Sequence, residues 1–291
     1  MDGISFSVAP GSFFALLGPN GAGKTTTISI LTTTLLPSSG TVKVAGHDVV
    51  REASQVRRNV GIIFQRPSLD VNLSAEENVR FHAVLYGLYP FRPSFRTMPA
   101  DYRQQLLELA ELVGISDEIF KPVKTYSGGM MRKLEIIRSL VHRPRVLFLD
   151  EPTSGLDPLS RRSLWSYLRD VRKESGTTVF LTTHYIEEAE GADAVCILNR
   201  GQVVSIGSPS RVRADLVQEY LLIDADDRPK LRQELLALAV PFEETPLFKV
   251  GAGGRSVHEL LKAIDTPLTA VETHTPSLED AYLAIVGHEE E

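Results

Sequence analysis

Cysteine is nearly missing from this chain. Cys196 is the only one, set in the apolar run AVCIL, and a single thiol cannot close an internal disulfide. It reads most simply as a small core residue, and nothing points to an oxidising compartment. Long apolar runs are missing too: no stretch approaches the roughly 18 residues that a membrane-spanning helix needs. The opening MDGISFSVAPGS has neither a basic leader nor a long apolar segment, so no secretory signal is expected. Nor is there an excess of positive charge. The formal net charge is −6, which weighs against a protein that coats nucleic acid, and Arg51, Arg57 and Arg58 read as a solvated face. Internal repeats, sustained heptads and long low-complexity segments are absent. The chain is expected to stay in the cytosol and to act at a membrane only by holding something that spans one.

What is present is an ordinary globular composition, 43% hydrophobic and 23% charged over 291 residues, long enough to bury one full core and a second, smaller one. The runs FFALLG, VGIIFQ, RVLFLDEP, TVFLTTH and AVCILN are rich in Val, Ile, Leu and Phe and alternate with helical patterns. Strands of this kind are buried on both faces, which implies an α/β fold with a largely parallel sheet covered by helices. ISFSV reads as a further strand, already under way near residue 4 and broken by Pro10-Gly11. Residues 66–143 differ. QQLLELAELVGIS places Leu106, Leu109, Ala110 and Val113 on one helix face with Gly114 as its stop, so this region reads as a helical subdomain inserted into the α/β core. Inside it, YPFRPSFRTMP (residues 89–99) reads as an extended surface loop. From about residue 210 to 291 the pattern changes to short strands (EYLLID, PLFKVG, PLTAVET) and amphipathic helices (RPKLRQELLALA, SVHELLKAI, SLEDAYLAIV). This is a small α+β domain ending in HEEE, so the expected domains are 1–209 and 210–291.

The chemistry begins at GPNGAGKTT. Gly18, Pro19, Asn20, Gly21, Ala22, Gly23, Lys24 and Thr25 fit G-x-x-x-x-G-K-[ST], with Thr26 next, between a predicted strand and a predicted helix. Glycines let successive backbone N–H groups turn inward around a phosphate, and the helix end adds its positive dipole. Lys24 can reach β- and γ-phosphates, and the Thr25 hydroxyl is placed to ligate Mg²⁺. The strand RVLFLDEP ends in two carboxylates. Strand alternation would send them opposite ways, leaving Asp150 to hold the Mg²⁺ shell and Glu151 to polarise an attacking water as general base. Gln65 and His184 close two other strands, at the crest where open α/β sheets bind ligands. Gln65 is positioned for Mg²⁺ and the water, His184 for the γ-phosphate. YSGGMMRKLE adds a second glycine-fronted helix, read as a bare, anion-seeking mouth.

Together GPNGAGKTT, Gln65, YSGGM, LFLDEP, SGLD (residues 154–157) and His184 resemble the nucleotide-binding subunit of an ABC transporter over roughly residues 1–208. YSGGMMRKLE, RPSLDVNLSAEENVRFHAVLYG and SLEDAYLAIVG look most like the daunorubicin-resistance and nodulation-type exporter ATPases, which are bacterial or archaeal. The resemblance implies an ATP hydrolase using Mg²⁺ at the cytoplasmic face of the cell membrane. It implies a homodimer in which Ser127, Gly128 and Gly129 of one copy cap the γ-phosphate held by the other, with Asp157 along the same seam. It also implies a separately encoded integral-membrane permease as partner and no nucleic acid. The alternative in the same family is a soluble ATPase acting on ribosomes or DNA; such proteins usually carry tandem cassettes or a long coiled coil. A small-molecule P-loop kinase would leave SGG, SGLD and His184 unexplained. Two departures stand out. Met130 occupies the place of the usual glutamine while the serine and glycines are intact. The aromatic residue that normally precedes DGISF and stacks on adenine has no counterpart. The expectation is either coding sequence upstream of Met1 or weaker base stacking, by about 1–3 kcal/mol.

Overall fold

Apolar runs with β-branched and aromatic residues build the central sheet of this protein, seen in a computed structural model that describes residues 1–64, 68–216, 220–251, 256–274, 277–280 and 282. The chain divides into two compact units, residues 1–206 and 207–291.

The first unit opens with β1 (Phe13–Leu17), α1 (Lys24–Leu31) and a small pair, β2 (Lys43–Val44) and β3 (His47–Asp48). It continues through α2 (Ala53–Asn59), β4 (Val60–Ile63) and three helices, α3 (Ala75–Leu85), α4 (Ala100–Val113) and α5 (Gly128–Leu140). Then come β5 (Val146–Asp150), α6 (Pro158–Ser175), β6 (Thr178–Thr183), α7 (Ile186–Ala189), β7 (Ala194–Asn199) and β8 (Gln202–Gly207). The main sheet has the order β4-β5-β6-β1-β7-β8. Its pairs from β4 across to β7 are parallel, as expected for strands that helices cover on both faces. Phe14, Phe148 and Phe180 stack in its core, with centroids 5.1 and 5.4 Å apart. Each such fully buried ring contributes about 1.5–3 kcal/mol by leaving water.

Two expectations change. Residues 4–8 form no strand: they lay Ile4, Phe6 and Val8 against the core without pairing to a neighbour, and a strand needs a hydrogen-bonded partner as well as the right composition. Residues 89–99 are not extended throughout, because Phe95–Thr97 form a 3₁₀ turn. The helix expected around Leu106 is there, with Leu106, Ala110 and Val113 of the expected face buried together with Tyr102, Leu109 only partly buried, and Gly114 ending it at φ 67°. Gln65 lies outside the described residues.

The second unit contains α8 (Pro209–Leu216), β9 (Tyr220–Ala225), α9 (Arg228–Ala237), β10 (Phe242–Glu244), β11 (Phe248–Gly251), α10 (Val257–Lys262) and β12 (Leu268–His274). Its four strands form an antiparallel sheet in the order β10-β11-β9-β12. Leu221, Ile223, Leu231, Leu235, Phe248 and Leu260 make its core. Of the helix expected over SLEDAYLAIV, residues 278–280 and 282 are helical and residues 281 and 283–286 lie outside the described residues.

Candidate nucleotide site

Register brings the ends of three strands into line. Asp150 of β5 pairs with Thr182 of β6, and Leu17 of β1 pairs with Thr183. The loop after β1 therefore rises beside the carboxylates that end β5, at the crest where parallel sheets leave room for a ligand.

That loop demands glycine. A β-carbon on Gly18 would stand 2.3 Å from the Leu198 carbonyl oxygen, a backbone atom with nowhere to go. Gly21 and Gly23 have φ of 81° and 107°, where a side chain is strained. Gly23 is the N-cap of α1 and offers no side-chain cap, so the helix presents its orphan N–H groups and positive dipole end to whatever occupies the crest. Lys24 is buried and donates from Nζ to the carbonyls of Gly18 at 2.7 Å and Pro19 at 3.2 Å. Burial pulls its ammonium below the ordinary lysine range, against the opposing pull of Glu151 and Asp150. Thr25 and Thr26 are exposed at the helix mouth, whereas Thr27 is turned inward.

The two carboxylates do part company, though for a different reason than strand alternation. β5 ends at Asp150, and Glu151 turns away at φ 45°. Asp150 is buried and accepts from the Thr182 hydroxyl at 2.6 Å; burial raises its pKa and that bond opposes the rise. Glu151 Oε1 lies 3.8 Å from Lys24 Nζ and 3.4 Å from His184 Nδ1. The His184 ring rests on Tyr185 with centroids 4.0 Å apart, and the Arg161 guanidinium sits 4.8 Å over that same tyrosine. Lys24, the adjacent Asp150 and Glu151, and His184, from three segments far apart in the chain, thus converge.

The second helix mouth is not bare. Ser127 is the N-cap of α5 and accepts from the Met130 N–H at 3.2 Å. Gly128 is exposed with open space where a β-carbon would be, while one on Gly129 would meet Ser160 Oγ at 2.8 Å. Asp157 is the N-cap of α6, accepting from the backbone of Leu159 and Ser160. The Ser160 hydroxyl, which also donates to it, and then those backbone bonds hold its carboxyl below the usual range, so local capping is its role within the subunit. Thr182 and Glu188 escaped the sequence reading. The one available signal was the pair of threonines ending an otherwise apolar buried strand, TVFLTT.

A family model described as ABC transporter matches residues 1–154. The daunorubicin/doxorubicin resistance ATP-binding protein of Streptomyces peucetius is 36% identical over 301 residues, spanning 99% of this chain and 88% of that protein. The chain belongs to the ABC transporter family. Another relative, the Nod factor export ATP-binding protein I of Ralstonia nicotianae, is 36% identical over 309 residues, 99% of this chain and 89% of that one. Among solved structures, a dimeric ATP-binding cassette in a post-hydrolysis state, bound to ADP and Pi, matches with a TM-score of 0.61. That match has 25% identity and covers 70% of this chain and 88% of the other. As an ABC ATPase the protein binds and hydrolyses ATP, and its first unit has the P-loop α/β fold of that family. Among the described residues, no helix is long and apolar enough to cross a membrane.

Proposed function

We propose that this ABC ATPase is the energy-supplying subunit of an exporter. It sits at the cytoplasmic face of a prokaryotic membrane and closes as a homodimer around two MgATP to drive a separate permease. The cargo class is a small hydrophobic or amphipathic molecule, in keeping with the names of the drug-resistance and Nod-factor relatives. The observation that carries the reading is the convergence of Glu151 with Lys24 and His184 beside an uncapped helix end.

Within that reading, the glycine loop and Lys24 bind the triphosphate, and Lys24 exchanges its carbonyl partners for phosphate oxygens. The exposed Thr25 hydroxyl and the Asp150 carboxylate fit a divalent ion. Mg²⁺ held by these residues would supply neutralisation of phosphate charge. Glu151 accepts a proton from the attacking water, and His184 orients the γ-phosphate. Gln65 is assigned to the ion and the water on its sequence position alone. Ser127, Gly128 and Gly129 of a second copy, with Asp157 on the adjoining seam, cap the same phosphate from across the interface, so that hydrolysis loosens the pair.

Sedimentation of the Glu151→Gln variant tests this directly. With saturating MgATP it is expected to run as a dimer, and wild-type protein with ADP as a monomer. Lone molecules throughout, even with a candidate permease supplied in detergent, would overturn the proposal.

A further inference from the structure

Glu188 is 6% exposed, and its carboxylate is not paired with an arginine or lysine at hydrogen-bond distance. Instead its two oxygens are divided between two hydroxyls. Oε1 accepts from Thr153 Oγ1, and Oε2 accepts from Thr183 Oγ1 at 2.5 Å. Burial raises its pKa, while these two bonds and the more distant charges of Arg161 and His184 work the other way. Burying a carboxylate is expensive, and an apolar side chain would fill the space without that cost. The cost needs a return.

The positions of the two threonines supply one. Thr153 stands two residues beyond Glu151, and Thr183 immediately precedes His184. The sheet ceases to hold these segments together just below them. The last paired residues of β5 and β6 are Asp150 and Thr182, and the final backbone bond runs from Glu151 N–H to the Thr182 carbonyl at 3.1 Å. Above that point Glu151 leaves at φ 45° and the two chains diverge. Glu188 is the next link between them. Thr183 Oγ1 also accepts from the Tyr185 N–H at 2.9 Å, which ties down the residue on the far side of His184.

We propose that Glu188 is a positioning residue for hydrolysis. Its planar carboxylate spans Thr153 and Thr183 and sets the separation of Glu151 from His184, whose facing atoms are 3.4 Å apart. It touches no reacting atom. A carboxylate suits the task because each hydroxyl needs an acceptor and one rigid group offers two. The inference rests on the reading of Glu151 and His184 as the groups that act on water and γ-phosphate.

The test uses the full chain, with steady-state ATPase rates, nucleotide affinity and thermal melting read together. Glu188→Gln keeps the size but one acceptor, and is expected to lower kcat about ten- to hundredfold, the scale of a small misplacement of reacting groups. ATP affinity should stay within about threefold, because the loss falls on the transition state. Thr153→Val and Thr183→Val, which spare the carboxylate and remain informative should Glu188→Gln fold poorly, lower kcat in the same direction. Thr153→Ser and Thr183→Ser restore it, since the hydroxyl rather than the methyl is what counts. In a His184→Ala background, Glu188→Gln should cost less than about twofold more, as residues acting as a unit are non-additive. The proposal is overturned by an unchanged kcat in a folded Glu188→Gln protein. Fully multiplicative losses with His184→Ala, or a kcat loss that follows melting temperature and is not rescued by serine, would overturn it equally. Lys24→Ala and Glu151→Gln, run alongside, separate the two readings. If both hydrolyse normally, the site assignment itself has failed; if both are dead while Glu188→Gln is fast, only the brace has.

Discussion

Ser160 Oγ occupies the place a side chain on Gly129 would need, 2.8 Å from its would-be β-carbon, and donates to the Asp157 carboxylate at 2.5 Å. The start of α5 is thereby seated on the start of α6 within one subunit. Gly128, one residue earlier, faces open space.

The two neighbouring glycines should therefore fail differently. Gly129→Ala has to displace Ser160 from Asp157, loosening the α6 cap at a cost of about 1 kcal/mol, the usual worth of an N-cap, and a few degrees in melting temperature. Gly128→Ala meets nothing within the subunit. It should fold and bind ATP normally yet lose turnover, because its methyl lies where the proposed partner's phosphate must approach. Melting curves and ATPase rates on both variants check the pair; equal turnover in Gly128→Ala and wild type would count against the capping role.

Gly18→Ala drives a methyl into the Leu198 carbonyl. Backbone cannot yield as a flexible side-chain tip can, so the loop must move and its N–H groups lose their aim. ATP affinity is expected to fall by at least about tenfold, the worth of one misdirected charge-assisted hydrogen bond. Isothermal titration would show it, and near-wild-type binding would refute the close approach.

Glu151→Gln retains the shape beside Lys24 and His184 while removing the proposed base. A drop in kcat of about 10²–10⁴-fold with ATP affinity nearly unchanged is the outcome for a positioned general base. A matching loss of affinity would mean that Glu151 serves mainly as the counter-charge of Lys24.

Cys196 is fully buried in β7, and burial pushes its thiol up to about 12. Both the missing access and the missing thiolate protect it. Iodoacetamide at pH 8 should leave the folded protein unlabelled and should label it at a rate set by unfolding; rapid labelling of native protein would show that β7 opens locally.

His82, packed against Tyr86 and His142, has its pKa lowered from 6.5 to about 3, first by burial and then by Arg138 and His142. The folded state refuses a proton that the unfolded chain accepts. Its contribution is complete above pH 6.5 and is lost as pH falls from there toward 3, at no more than about 1.4 kcal/mol per pH unit. Urea midpoints should fall less steeply with acid in His82→Gln than in wild type, and parallel slopes would refute the assignment.

Much of the site was legible because its parts are local. GPNGAGKTT is contiguous, so its strand, loop and helix share one short segment, and the apolar β5 run ending in Asp150 marks itself by composition. ISFSV misled for the opposite reason. A strand is defined by its neighbour, and five residues of the right composition carry no information about whether one lies alongside. The bare mouth of α5 failed similarly: Ser127 was in view, but whether a serine caps its own helix depends on a backbone geometry that spacing does not reveal.

The amino-acid order alone marked the glycine loop, the carboxylates that close an apolar run and the parallel α/β sheet beneath them, since glycine spacing and apolar periodicity act over a few residues. Tertiary structure decided the rest. It aimed Glu151 toward Lys24 and His184 by a positive-φ turn, tied Asp150 to Thr182, and set Glu188 between Thr153 and Thr183. These relationships join residues that only strand pairing and packing bring together, and hydrogen bonds over such sequence separations leave no periodic trace in the chain that makes them.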